Sequence, residues 1–238
     1  MSNQNQNQST KLKGSRRDSD ILRTIEAWGV MNTDQVEAMF FAEKEEKKPF
    51  LYGKRKTQEV LLRLYKTGKL QRKMVEGVYC YYLDPKGLLK HRIGVNWVRM
   101  WTPKRLSGWE KLHSWSYEQD YKILRCDGFI AIKNTVTGGF KFTFLELDRG
   151  TNTFDKVTKY NTLYDQEKYT GWWWVPLAKG FPTVQVVTVS PARKRFIEEQ
   201  IEAGNKNKLE FKVQLLDDMR REVMERCCSP MCPPDKTP

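Results

Sequence analysis

Apolar residues at helical spacing open the patterned part of the chain. Ile21, Ile25 and Trp28 recur three to four apart, and Gly29 closes the element. Asn32 then stands where a helix N-cap is expected, with Gln35 at the capping-box position and Val36, Met39 and Phe40 as the apolar stripe. A charged insert, AEKEEKKPFLYG, follows. The spacing predicts a third helix from about Lys54 to Thr67, with Val60, Leu61, Leu64 and Tyr65 facing inward and Gly68 as C-cap. Two strand-like runs, Leu70 to Val75 and Val78 to Leu83, are joined by Glu76-Gly77, whose glycine supplies the positive φ a tight hairpin needs. Three helices and a β-hairpin in this order describe a winged helix, residues 18–84. There the helix after the turn enters the major groove and the hairpin is the wing.

Residues 85–108 read as a connector with one short helix, including Leu88, Leu89, Val95, Trp97 and Met100. A second domain is expected over 109–226. Trp109 to Tyr121 reads as a helix with Trp109, Leu112 and Ser116 on one side. Phe129 to Ile132 is an apolar strand, followed by a turn at Thr137-Gly138-Gly139. Phe140, Phe142 and Phe144 alternate along the next strand, which ends in Glu146 and Asp148. Phe154 to about Lys168 is helical and carries Lys156, Lys159 and Tyr160. Val184 to Val189 reads as a buried strand, and Pro191 opens another helix at the first-turn position. Leu209 to Phe211 adds a further strand, and Leu215 to Arg226 a closing amphipathic helix. The fold class expected is therefore α/β. Residues 1–17, an Asn-Gln repeat followed by Lys11, Lys13, Arg16 and Arg17, form a basic low-complexity tail, and the Cys- and Pro-rich residues 227–238 form another.

Charge narrows the partners. The 238 residues carry 42 Lys and Arg against 29 Asp and Glu, a net +13. The first hundred hold 20 basic and 11 acidic residues, +9, so the excess is concentrated there. Such a footprint points to a polyanion, double-stranded DNA above all. Between Gly53 and Lys73 there are eight basic residues and one acid, Glu59. Lys54, Arg55 and Lys56 fall at the start of the third helix. Gln58 and Arg63 are placed to reach base edges, and Arg72 and Lys73 on the wing suit phosphates. A solvated helix face, or a winged helix used for protein contacts, is the alternative. No apolar run approaches the ~18 residues of a membrane span and no signal peptide opens the chain, so a cytoplasmic protein without a membrane partner is expected.

Candidate chemistry centres on FLELDRGT, Phe144 to Thr151. Glu146 and Asp148 sit two apart in a strand, so both carboxylates share a face. Oxygen-rich clusters of this kind suit Mg²⁺ or Mn²⁺, which can activate water against a phosphodiester. The plainer reading is a solvated strand end feeding a turn at Gly150. Cys80 and Cys126 sit among apolar neighbours and read as small core residues. Cys227, Cys228 and Cys232 lack a fourth ligand and make a poor zinc site. His91 and His113 are too few and too separated for a His-based metal centre. Trp172, Trp173 and Trp174 could stack on unpaired bases. Three in a row point in different directions, so at least one belongs to the core. No Gly-rich phosphate loop is present, which argues against ATP hydrolysis.

A winged helix followed by C-D-G at Cys126 to Gly128, then F-L-E-L-D-R-G-T, then K-x-x-K-Y at Lys156 to Tyr160, resembles the replication-relaxation family of plasmid replication and mobilisation proteins. The resemblance covers about Asp18 to Ser190. It implies a nuclease-like α-β-β-α-β core of the PD-(D/E)-x-K kind after the winged helix. It aligns Asp127 with the acid at the start of the first core strand, with Cys126 before it where a Pro is usual, and Glu146 with the second metal-facing acid. Active nucleases of this fold carry a Lys two residues beyond that acid; this chain has Asp148, and Lys159 on the following helix could supply a migrated ammonium. An active site would then comprise Asp127, Glu146, Asp148 and Lys159, with the three acids holding Mg²⁺ or Mn²⁺. An inactive one would be a hydrogen-bond network in which Arg149 pairs with an acid and Thr151 caps the helix. The reading that results is a DNA-binding protein of a mobile element, acting in plasmid replication initiation or mobilisation. Its second domain is non-catalytic or weakly catalytic. The alternatives are a metal-dependent nickase or endonuclease and a winged-helix transcriptional regulator. Relaxase or replication proteins are the expected protein partners, and a homodimer would suit an even-armed DNA site.

Overall fold

The structure, a computed structural model, describes residues 4–41, 51–84, 87–150 and 153–228. Residues 42–50 of the charged insert, Thr151 and the end of the C-terminal tail, with Cys232, lie outside these residues. The chain is mixed α/β, with seven α-helices and two sheets among the described residues. It divides into two compact units, one drawn from Met1–Asn96 and Glu222–Pro238, the other from Trp97–Arg221. The boundaries fall between Asn96 and Trp97 and again between Arg221 and Glu222.

In the first unit, α1 spans Gln4–Trp28 and β1 is Met31–Asn32. The assignment of α1 runs back through most of the segment that composition reads as a tail. Helix α2 (Thr33–Phe40) starts as its sequence dictates. Asn32 Oδ1 accepts from the Gln35 amide at 2.9 Å, and the Asn32 amide donates to Gln35 Oε1 at 3.1 Å. Two otherwise orphaned helix-start donors are satisfied by one reciprocal pair. Gln35 is fully buried and also donates to the Ile93 carbonyl at 2.9 Å. Helix α3 (Leu51–Lys66) leads to the hairpin β2 (Gln71–Val75) and β3 (Val78–Tyr82). Glu76 and Gly77 at the turn have φ of 50° and 78°, so both central residues are left-handed, as a twisted two-residue hairpin requires. β1 pairs with the far side of β3, giving the order β1-β3-β2 with β2 at the edge.

Ile21, Ile25, Val36, Leu61, Leu64 and Tyr81 are in the core of this unit, with Trp28 and Phe40 packed partly buried against it, whereas Met39, expected in the stripe of α2, is exposed. Tyr65 departs from expectation. It is 39% exposed, because the inward arc of α3 is already filled by Val60, Leu61 and Leu64. Helix α4 (Leu89–Trp101) follows, where a short helix was expected, and a single 3-10 turn, Thr102–Arg105, leads away from it.

The second unit is built on a five-stranded sheet: β4 (Glu110–Asp120), β5 (Arg125–Asn134), β6 (Phe140–Asp148), β7 (Thr183–Thr188) and β8 (Phe211–Leu215), in that order. β4, β5 and β6 form an antiparallel meander; β7 joins β6, and β8 joins β7, in parallel. Helix α5 (Lys156–Asp165) lies in the chain between β6 and β7, and α6 (Pro191–Gly204) between β7 and β8. Helix α7 (Leu216–Cys228) follows β8.

The helix expected over Trp109 to Tyr121 is strand β4 instead. A register shift lies between Leu112 and Ser114; beyond it Ser114 to Tyr117, and then Gln119 and Asp120, pair with the strand β5. Trp109, expected inside, is 57% exposed. β7 is buried at five of its six positions, Gln185 and Thr188 included, as in a strand covered on both faces. Phe129, Phe144, Val157, Tyr160, Leu163, Trp174 and Val184 meet in the core between the sheet and α5. Cys80 and Cys126 are free, buried thiols, in keeping with their apolar neighbours. Among the described residues no helix is long and apolar enough to cross a membrane.

Candidate functional site

Alternation along β6 puts Phe144, Glu146 and Asp148 on the face that α5 covers. The Phe144 ring lies 5.2 Å from that of Tyr160, centroid to centroid. That packing carries Glu146 inside; it is 2% exposed. Lys156 and Tyr160, one helical turn apart on α5, both reach it. The Tyr160 hydroxyl donates to Glu146 Oε1 at 2.7 Å, and Lys156 Nζ lies 2.7 Å from Oε2. Lys156 also donates to the Arg125 carbonyl at 3.1 Å. Asp127, at the start of β5, accepts the Leu147 amide at 2.7 Å, which ties β5 to β6 beside the buried acid.

Burial pushes the Glu146 carboxyl up to about 7, against the pull of Lys156 and with a further push from Asp127. Burial also pulls on Lys156, but the charge and hydrogen bond of Glu146 outweigh it and its pKa is raised. The ammonium thus gains from the pair, while the more deeply buried carboxyl loses more to desolvation than the ammonium returns. Tyr160 is raised well above its ordinary value by burial and by the same carboxyl, so it remains a hydrogen-bond donor.

Asp148 and Lys159 belong elsewhere. Arg193, in the first turn of α6, holds Asp148 with both arms, Nε at 2.7 Å from Oδ2 and Nη2 at 3.0 Å from Oδ1. The amide of Gly150 and the hydroxyl of Thr188 also donate to Asp148 Oδ2. Ser190 caps α6 by accepting the Arg193 amide, which fixes the start of the helix under the strand end. Lys159 pairs with Asp155, the residue that precedes its helix, at 2.6 Å. The ammonium expected from Lys159 is therefore supplied by Lys156. The helical face that stacks Lys156 with Tyr160 at i, i+4 was visible in the sequence; which lysine faces the strand was not.

This arrangement does not fit a Mg²⁺ or Mn²⁺ centre made by Asp127, Glu146 and Asp148. Both oxygens of Glu146 and both of Asp148 are engaged by a cation or a hydroxyl. Among the described residues no three His, Cys, Asp or Glu side chains stand together as ligands for an ion. What the cluster does is neutralise a buried acid and lock α5 to the sheet.

The Trp run separates as expected of consecutive residues. Trp174 is buried and its indole donates to the Tyr121 hydroxyl at 3.2 Å. Trp172 packs against the core, and Trp173 is 45% exposed over Phe142.

In the first unit, Lys54, Arg55, Lys56, Gln58 and Arg63 on α3 and Lys73 on the hairpin are all exposed. Glu59, the one acid of the stretch, is shared by Arg55 at 3.1 Å and Lys56 at 3.5 Å, and Arg63 pairs with Asp18 at 2.8 Å. Arg72 is half-buried between two tyrosine rings. Lys66 and Lys69, exposed at the end of α3 and just beyond it, extend the basic surface beyond the residues singled out from sequence. Comparison with family models, curated proteins and solved structures gave no match.

Proposed function

We propose that the protein binds double-stranded DNA through its first unit, with α3 as the reading helix and the β2–β3 hairpin as a wing. The observation that carries this reading is the basic surface from Gly53 to Lys73, eight Lys and Arg against one acid, with all but the half-buried Arg72 exposed. A surface of that density neutralises backbone phosphates and releases counterions, so affinity should fall steeply with salt. The order of three helices and a hairpin, with β2 free at the edge, supports the winged-helix geometry. The resemblance to plasmid replication and mobilisation proteins suggests the setting: site recognition on a mobile element. The second unit then acts as a scaffold in which Lys156 and Tyr160 satisfy the acid where a nuclease would place a metal.

The test is a mobility shift on DNA from the element's own origin over a range of salt, with wild type and a Lys54→Glu/Arg55→Glu/Lys56→Glu variant. Salt-sensitive binding that the triple variant loses supports the reading; binding that survives the reversal removes α3 as the reader. Incubation of supercoiled plasmid with Mn²⁺ tests the scaffold role. Nicking that disappears in Glu146→Ala would make the protein a nuclease after all.

A further inference from the structure

Arg72 stands out in the first unit because two aromatic rings flank its side chain. Its guanidinium carbon lies 4.3 Å from the centroid of the Tyr65 ring and 4.4 Å from that of Tyr79. Tyr65 comes from the last turns of α3 and Tyr79 from β3, so helix and hairpin each supply one jaw. The two rings are 39% and 38% exposed, which places the clamp at the surface. Next to the clamp, where the end of α3 meets the edge strand β2, is a solvent-open cavity of about 520 Å³. Tyr65, Lys66, Leu70, Arg72 and Tyr82 line it, and no carboxylate does among the described residues.

A guanidinium lying over aromatic rings still has N–H donors to offer a ligand, and its planar fork matches the oxygens of a phosphate. Holding it in place beforehand removes much of the rotamer entropy that a free arginine would lose on binding. Lys66 brings a second cation to the same cavity. We propose that Arg72 is a preformed phosphate-binding point with Lys66 beside it. In the DNA-binding reading, on which the choice of ligand rests, it takes a backbone phosphate and so fixes the register of the wing. Its position beyond the C-terminal end of α3 makes it separate from the Lys54, Arg55 and Lys56 cluster at the other end of that helix.

The test uses the full chain and two probes. With a labelled duplex in an anisotropy titration, Arg72→Lys, which keeps the charge and loses the fork, should weaken binding roughly tenfold. Tyr65→Ala and Tyr79→Ala should each weaken it about two- to fivefold, and Lys66→Ala should lower the salt slope by about one. Thermal melts of each variant separate these effects from loss of fold. Wild-type affinity in Arg72→Lys overturns the proposal. If the wild type binds no DNA, the DNA-binding reading falls by itself, and the second probe decides the site: inorganic phosphate and pyrophosphate added to protein with ¹⁵N-labelled arginine. A saturable shift of the Arg72 Nε–H keeps a phosphate site that serves a free anion; an unmoved resonance ends it.

Discussion

Lys156 Nζ and Glu146 Oε2 are 2.7 Å apart beneath α5, and the Glu146 side chain is 3% exposed. A buried ion pair is rarely a large net gain, because desolvation of both groups offsets their attraction. Removing one partner is a different matter, since the other is left charged in an apolar place.

Lys156→Met should therefore destabilise the second unit by about 3–5 kcal/mol above neutral pH. The loss should be smaller in acid, where Glu146 can take up a proton. Adding Glu146→Gln to this variant should restore part of it. Urea unfolding of the two single variants and the double variant gives the coupling; simple additivity would mean that the two residues do not act as a pair.

The same acid makes stability depend on pH. Glu146 is raised from 4.5 to about 7, so the folded chain binds a proton that the unfolded chain has released in between. Its contribution is full below about pH 4.5 and is lost as pH rises through about 7. Against Glu146→Gln as reference, the wild type should lose stability across that window. Melting temperatures that run parallel in both proteins would contradict the raised carboxyl.

Arg193→Ala should cost about 1–3 kcal/mol, because Asp148 loses a two-armed, largely covered partner. Lys159→Ala should change stability by less than about 0.5 kcal/mol, since its pairing with Asp155 is half-exposed. Chemical denaturation of the two variants side by side checks the order; the reverse order would restore Lys159 to the centre of the cluster.

Adjacent tryptophans should behave as opposites. Trp174→Ala opens a cavity among Phe129, Phe142 and Tyr169 and strips Tyr121 of a donor, a loss of about 3–5 kcal/mol. Trp173→Ala, at a 45% exposed position, should cost far less. Near-ultraviolet circular dichroism during denaturation would report both.

Local signals carried much of the fold. The capping box at Asn32 and Gln35 involves neighbours three apart, so the sequence alone determined where α2 begins. The stripe of Val60, Leu61 and Leu64, the alternating phenylalanines of β6 and the proline opening α6 are equally local, and each element follows from them. The strand β4 was not legible. Its residues satisfy a helical spacing as well as an alternating one interrupted by a bulge, and only pairing with β5 chooses between them.

The candidate site divides the same way. Sequence placed Glu146 and Asp148 on one face of a strand and Lys156 and Tyr160 on one face of a helix. It could not say that Asp148 would be taken by Arg193, forty-five residues away on α6, or that Lys156 rather than Lys159 would face the strand. Those choices depend on how helices rotate and settle against a sheet, a matter of packing across long loops. The chemistry of the acid cluster was therefore decided in the tertiary structure, where Glu146 met Lys156 and Asp148 met Arg193.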